Sequence, residues 1–157
     1  MRICNVAGTV AFVCVLLGAC ANVKEPAKPA ATAPTAWAQE PVRVVYHFVD
    51  GLEQASRGLE YIRNHLEADP KAQIVVVAHA AGVDFLMKGA KTARGNEYRQ
   101  AIEDLELQGV KFRVCEITLR ERGMRRDRFV AEAGFVPSGV AEIARLQQRE
   151  GNAYIKP

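Results

Sequence analysis

The stretch Ile74-Val75-Val76-Val77-Ala78-His79 decides the fold class. Its unbroken apolar run is typical of a strand that is covered on both faces, and parallel sheets are built from such strands. The run ends at a histidine, and open parallel sheets bind ligands beyond the carboxyl ends of their strands. This stretch therefore predicts both a parallel sheet and the edge of that sheet at which chemistry is expected.

Strand and helix patterns alternate on either side of this stretch. Before it, the β-branched run 42–49 predicts a strand, and apolar residues at three- and four-residue steps over 52–66 predict a helix that Asp69-Pro70 ends. After it, we predict helices at 83–90, 98–105 and 139–146 and strands at 110–115, 135–136 and 153–155. Ser138 is expected to cap the last helix, and Gly109 to end the one before the third strand. This order predicts an α/β fold, a three-layer α/β/α domain with a mainly parallel sheet.

The first twenty residues have the pattern of a bacterial signal peptide. An uncharged apolar run, Val6 to Ala19, follows Arg2, and at about 14 residues it is shorter than the roughly 20 that a membrane span needs. It ends in Leu17-Gly18-Ala19-Cys20, which resembles a lipobox, so Cys20 is expected to become a lipid-modified first residue. Ala21 follows where Asp would signal inner-membrane retention, which favours an outer-membrane lipoprotein facing the periplasm. Two alternatives remain, namely ordinary signal cleavage that leaves a soluble periplasmic protein, and an uncleaved anchor.

Residues 21–41 are rich in alanine and proline and show no apolar periodicity. Such a segment cannot bury enough surface to fold, so we expect a semi-extended tether. The organisation predicted from the sequence is therefore a signal peptide over 1–20, a tether over 21–41 and one domain over 42–157.

Composition and cysteine positions exclude several classes of protein. With 49% hydrophobic and 25% charged residues and a net charge of +3, the chain has an ordinary globular composition and gives no case for nucleic-acid binding. Three of the four cysteines lie in the first twenty residues, and Cys115 is alone in the rest of the chain. This distribution excludes a disulfide framework, a CxxC redox motif and a four-cysteine zinc site in the domain.

Three side chains with usable chemistry fall at or near predicted strand ends, namely His47, His79 and Cys115. In the strictly alternating segment 110–115, Cys115 shares the polar side with Arg113, and Arg120 follows closely. We expect these arginines to stabilise the Cys115 thiolate, because neighbouring cations lower the pKa of a thiol. The alternative is that Cys115 is a small buried hydrophobe and that the histidines are structural.

No metal or other cofactor is predicted. His47, His79 and Cys115 are ligand types that suit zinc or copper, but no local spacing supports a site.

The arginine-rich segment 120–128 lacks interleaved aromatic residues, so we expect a solvated loop, with an anion-binding lid as the alternative.

Four segments resemble the DsrE/DsrF-like family. They are Val44-Val45-Tyr46-His47, Ile74 to His79, Phe112-Arg113-Val114-Cys115, and the most specific one, residues 136–147. The resemblance implies a five-stranded, mostly parallel sheet and assembly into homo-trimers or hexamers. Some members of the family are sulfur-relay proteins that carry sulfur as a cysteine persulfide between donor and acceptor proteins. By its position, Cys115 resembles the sulfur-carrying cysteine, and His47 and His79 would lie near it.

Two hypotheses for function follow. In the first, an exported, lipid-anchored protein uses Cys115 as a persulfide carrier or thiol-reactive centre, and any activity is that of a sulfurtransferase. In the second, the domain is a non-catalytic, oligomeric binding or scaffold module of the cell envelope, in which Cys115 is only packed.

Overall fold

Strands and helices alternate along residues 40–157, the part of the chain that the computed structural model describes. The elements in chain order are β1 (Arg43–Phe48), α1 (Leu52–Ala68), β2 (Gln73–Ala78), a 3-10 segment (Ala80–Leu86), α2 (Tyr98–Leu107), β3 (Lys111–Cys115), α3 (Glu116–Glu121), a short 3-10 turn (Arg126–Arg128), β4 (Ala133–Val136), α4 (Gly139–Glu150) and β5 (Ala153–Ile155). The predicted signal peptide, its lipobox at Cys20 and tether residues 21–39 lie outside the described residues.

The five strands form one sheet in the order β4-β3-β2-β1-β5, and all four pairings are parallel. This arrangement confirms the predicted α/β fold with a five-stranded parallel sheet. From β1 to β4 the chain moves steadily in one direction across the sheet, and from β4 it returns past β1 to form β5. Because parallel crossovers are right-handed, the reversal moves the last connecting helix, α4, to the opposite face.

The two faces of the sheet are packed unequally. Strand residues alternate in direction, and those on one face form a large core with α1, α2 and the 3-10 segment, centred on residues such as Phe48, Ile62 and Phe85. On the other face, α4 contributes a small apolar cluster of five buried residues, which are Val45, Val75, Val77, Ile143 and Leu146. The second face therefore has less apolar packing and carries more polar side chains near its edge.

Most predicted element boundaries agree with the structure within a few residues, and the end caps are where the sequence placed them. The Ser138 hydroxyl accepts from the Ala141 N–H at 3.3 Å, and Gly109 has a φ of +92° after α2. The predicted helix at 83–90 is wrong in position and type, because a 3-10 segment ends at Leu86. Beyond it, Met87 is extended and forms an antiparallel bridge with Phe129, which draws the chain out of the helix.

Among the helices of residues 40–157, none combines the length and apolar character that a membrane crossing requires.

Candidate functional site

Four side chains with usable chemistry gather at the carboxyl edge of the sheet, on the face that α4 covers. Ala78 pairs with Val114 in the β2–β3 register, so His79 and Cys115 are the next residues along these neighbouring strands. His47 lies on β1 opposite Val77. Tyr154 of β5 completes the group through a hydrogen bond to His47. The three residues predicted from the sequence are thus brought together with a fourth, the tyrosine.

Cys115 lies where two helices begin. It is the residue before α3, and α4 begins at Gly139 against it. A Cβ atom built on Gly139 would lie 3.2 Å from the Cβ atoms of both Cys115 and His79. A contact this close leaves little room for a side chain at position 139, so the glycine allows the first turn of α4 to reach the thiol. Cys115 lies on the same face of β3 as Arg113, as predicted, but it is only 4% exposed.

Polar groups around the buried thiol favour its charged form. Burial alone would raise the pKa of Cys115, but hydrogen bonds from the Gly139 and Thr118 N–H groups, the Thr118 hydroxyl and the Ile117 N–H together lower it below its ordinary value. The Thr118 Oγ1 accepts from the Ala80 N–H at 2.9 Å, which leaves its own proton free to point at the sulfur. A buried thiol in this setting is more acidic than an ordinary cysteine.

A chain of three hydrogen-bonding groups runs from the surface towards Cys115. The Tyr154 hydroxyl lies 2.6 Å from His47 Nδ1, and His47 Nε2 lies 2.6 Å from His79 Nε2. Two ring nitrogens this close hold one proton between them, so one imidazole donates and the other accepts. Tyr154 is 43% exposed, which connects the chain to solvent.

Both histidines are held neutral. Burial is the main cause that lowers the pKa of His47 to about 4; repulsion from a protonated His79 and from Lys156 acts in the same direction, while Asp50 opposes it. Burial likewise lowers the pKa of His79, with Asp50 opposing and Lys156 adding to the effect. Lys156 and Asp50 form an ion pair of 3.0 Å beside them. Near neutral pH the pair can therefore pass a proton but adds no positive charge to stabilise a thiolate.

The arginines do not have the role predicted for them. Arg113 shares the Cys115 side of β3, but its Nη1 is 2.6 Å from the Glu142 carboxylate. Arg120 lies on α3 with an exposed side chain. The lowered pKa of Cys115 comes from amide groups and a hydroxyl, because helix starts supply oriented N–H donors that the sequence pattern of charges does not reveal.

The arginine-rich segment is largely exposed, as predicted, but it is only partly a loop. It comprises the end of α3 and the turn at Arg126–Arg128. Arg122 pairs with Asp84 at 2.7 Å, Arg125 with Asp127 at 2.6 Å, and Arg126 with Glu116. Among residues 40–157, no group of three His, Cys, Asp or Glu side chains has a metal-binding arrangement.

Three functional residues were missed at the level of sequence, namely Tyr154, Gly139 and Thr118. Tyr154 could have been found, since alternation in a last strand paired with β1 puts its side chain on the His47 face. Gly139 follows the predicted cap Ser138 and carried a weaker signal. Thr118 had none, because its contact with Ala80 depends on how α3 packs against the segment after β2.

Comparisons with known proteins found one matching family model and solved structures of similar fold. The sequence model of the DsrE/DsrF-like family matches residues 43–157. A solved structure of a protein of unknown function, MTH1491 from Methanobacterium thermoautotrophicum, is 35% identical with a TM-score of 0.65, covering 74% of this chain and 99% of that one. The ychN protein from E. coli has the same fold at 16% identity and a TM-score of 0.60, covering 75% of this chain and 99% of its own. No curated protein matches the chain significantly.

Proposed function

Because the chain belongs to the DsrE/DsrF-like family, we propose that it carries sulfur as a persulfide on Cys115. Membership of this family supports a sulfur-relay-like protein in general terms. The observation that carries the specific proposal is the setting of Cys115, a thiol of lowered pKa at the start of two helices and beside a neutral histidine pair. Thiolates at such positions are the reactive form of cysteine.

The proposed loading step is a thiol exchange at sulfur. The Cys115 thiolate attacks the outer sulfur of a donor persulfide, the new S–S bond forms, and the donor's own S–S bond breaks. The donor thiolate leaves with the electron pair and takes up one proton. No oxidant is consumed, because the transferred sulfur keeps its oxidation level.

Unloading is the same exchange in the other direction. An acceptor thiolate attacks the outer sulfur of the Cys115 persulfide, and Cys115 leaves as a thiolate. The amide groups of Gly139, Thr118 and Ile117 stabilise that leaving group, and a thiol of lower pKa leaves faster. In the loading step, the neutral His47–His79 pair relays a proton from solvent, through Tyr154, to the departing donor thiolate.

Sulfur loading is the experiment that tests this proposal. The purified protein is incubated with polysulfide, and the mass of the peptide that contains Cys115 is measured by mass spectrometry. We expect one added sulfur atom on this peptide, lost on reduction, and none in Cys115→Ser. The proposal fails if native Cys115 gains no sulfur while the same thiol reacts normally in the denatured chain.

A second candidate is a non-catalytic, oligomeric scaffold or binding module. The observation in its favour is the burial of Cys115, whose side chain is 4% exposed. Alkylation of the native protein separates the two candidates. Complete resistance of Cys115 to a small alkylating reagent would favour the scaffold, as would an unchanged phenotype of cells that produce Cys115→Ser.

We further propose that the domain is exported and held at the periplasmic side of the outer membrane by lipid on Cys20. Support comes from the lipobox pattern and from the composition of residues 21–41. Metabolic labelling with a clickable fatty acid should mark the wild-type protein and not Cys20→Ala. If the protein is unlabelled and soluble in the periplasmic fraction, ordinary signal cleavage is the correct alternative.

The proposed partners are further copies of this chain and the proteins that donate and accept sulfur. Two exposed hydrophobic residues, Val140 on α4 and Tyr154 on β5, support self-association on the α4 face. Sedimentation equilibrium of the detergent-solubilised protein should report a trimer or a hexamer. A monomer at micromolar concentration would contradict this proposal.

A further inference from the structure

Glu142 is the one buried charged residue in the described part of the chain. It lies on α4 and is 8% exposed. Its Oε1 accepts from Arg113 Nη1 at 2.6 Å and from Arg145 Nη2 at 2.7 Å, and its Oε2 accepts from Arg145 Nε at 2.8 Å. The partner Arg145 belongs to the same helix, so the contact with Arg113 is the one that ties Glu142 to the sheet.

The Arg113–Glu142 contact lies about one turn of α4 beyond the contact between Gly139 and Cys115. Arg113 precedes Cys115 by two residues on β3, so the two side chains share a face of the sheet. Glu142 follows Gly139 by three residues, so both lie on the same side of α4. Strand and helix therefore meet twice in succession, Cys115 against Gly139 and Arg113 against Glu142.

We propose that the Arg113–Glu142 ion pair is a positioning device that holds the first turn of α4 against Cys115. It keeps the Gly139 N–H on the sulfur, and neither Arg113 nor Glu142 takes part in sulfur transfer. This inference rests on the proposed role of Cys115 and adds to it the contact that maintains the thiol's surroundings. The side chain of Arg113 matters through the geometry of α4, while the sequence pattern had predicted a direct effect of its charge.

Sparse apolar packing under the first turn of α4 explains why such a device is needed. The small apolar cluster under α4 involves Ile143 and Leu146, which lie further along the helix than Gly139. The first turn itself has an exposed Val140 and a serine cap. Among the described residues, Arg113–Glu142 is the ion pair that joins α4 to β3. A shift of the first turn by a few tenths of an ångström would lengthen the hydrogen bond to sulfur.

Removing the carboxylate distinguishes positioning from charge. The ionisable residues on the elements packed around Cys115 are His79 after β2, Arg113 on β3, Glu116 at the start of α3 and Glu142 on α4. If charge alone acted, Glu142→Ala would remove a nearby anion and lower the pKa of the thiol. If Glu142 positions α4, the same substitution raises that pKa because the amide moves away from the sulfur.

The test is the pH profile of alkylation at Cys115 in the full chain, followed by mass spectrometry of its peptide. In Glu142→Ala we expect the midpoint of the profile to move to higher pH and the rate at neutral pH to fall roughly tenfold. A thiolate absorbance titration, corrected with the matching Cys115→Ser protein, measures the same midpoint without requiring reagent access. An unchanged or lower midpoint overturns the proposal.

Two further variants keep the test decisive. Glu150→Ala removes the other partner of Arg145, at the far end of α4, and is expected to leave the midpoint unchanged. Glu142→Gln keeps a neutral acceptor for Arg113 and serves if the alanine variant does not fold. Positioning predicts a midpoint equal to or above that of the wild type, and a fall in the midpoint overturns it.

The outcome does not depend on sulfur transfer. If wild-type Cys115 never gains sulfur from polysulfide, the proposed function fails, while the alkylation profiles still decide whether Glu142 positions α4. If sulfur is loaded and the profile of Glu142→Ala is unchanged, the proposed function stands and the positioning inference fails.

Discussion

The two faces of the sheet are built from the same strands, but one forms the main apolar core and the other carries the candidate site. On the face of α1 and α2, strand residues such as Phe48 and Val76 are fully buried in a large apolar core. On the α4 face, the neighbouring positions His47 and Cys115 carry the candidate chemistry. Because successive side chains of a strand point to opposite faces, a residue that stabilises the core lies next to one that carries the candidate chemistry. Substitutions on one face should therefore have effects that the other face does not share.

The largest expected effect is on stability, from the face of α1 and α2. Ile62 on α1 is fully buried, and Ile62→Ala should lower the free energy of unfolding by about 2–5 kcal/mol. Urea unfolding measures this loss. The matched control is Tyr61→Ala at the exposed neighbouring position, for which we expect a much smaller change. If Ile62→Ala also changes the alkylation profile of Cys115 in the folded protein, the two faces are not independent.

The next effect is local to the α4 face. In Gly139→Ala, the new Cβ lies 3.2 Å from the Cβ atoms of Cys115 and His79, so α4 and the strand ends must move apart by a few tenths of an ångström. We expect a stability loss of about 1–2 kcal/mol and a higher thiol pKa, measured by urea unfolding and by the alkylation profile. Gly134→Ala is the control, because it is similarly tight against the Phe112 carbonyl at 3.3 Å but is not among the groups around the thiol. An unchanged profile in Gly139→Ala would contradict the close approach of α4.

A smaller effect depends on pH. Burial lowers the pKa of His47 to about 4 from its ordinary 6.5, so between these values the unfolded chain binds a proton that the folded chain does not. The contribution of neutral His47 to stability is complete above about pH 6.5 and is lost as the pH falls towards 4. His47→Gln should therefore lose roughly 1–2 kcal/mol less than the wild type between pH 7 and pH 4, by urea unfolding. Equal losses in both proteins would show that His47 is not buried in its neutral form.

The smallest expected effect is at the solvent end of the hydrogen-bond chain. Tyr154→Phe removes the hydroxyl that lies 2.6 Å from His47 Nδ1, at a cost of about 0.5–1.5 kcal/mol because Tyr154 is partly solvated. If this hydrogen-bond chain relays protons, the rate of sulfur loading should also fall in Tyr154→Phe. Tyr61→Phe removes an exposed hydroxyl elsewhere and is the control for both measurements. A normal loading rate in Tyr154→Phe would exclude the tyrosine from the proton path.

The fold could be predicted largely from local patterns. The apolar run before His79 and the periodic stripe of α1 are set by which faces must be buried, and this information is contained in the residues themselves. The helix predicted at 83–90 was wrong because the chain there is drawn towards Phe129, more than forty residues later. A contact with a distant residue leaves no trace in a local pattern.

The candidate site was predictable in its members and less so in its electrostatics. Parallel topology brings His47, His79 and Cys115 to one edge, and strand ends mark that edge in the sequence. The sequence also indicated cations as the source of thiolate stabilisation, since several arginines lie within a few residues of Cys115 in the sequence. In the structure Arg113 is paired with Glu142, and backbone amides take the role predicted for it.

The sequence by itself determined the parallel α/β class and the presence of one cysteine in the domain. Both follow from residue type and spacing, which act over a few residues at a time. Only the tertiary structure decided that the thiol is buried at the start of α4 and that two histidines share a proton beside it. The first feature depends on the return from β4 to β5, which carries α4 across to the Cys115 face, and the second on the parallel pairing of β1 with β2. The acidity of a thiol is set by the atoms within hydrogen-bonding distance, and folding alone brings those atoms together.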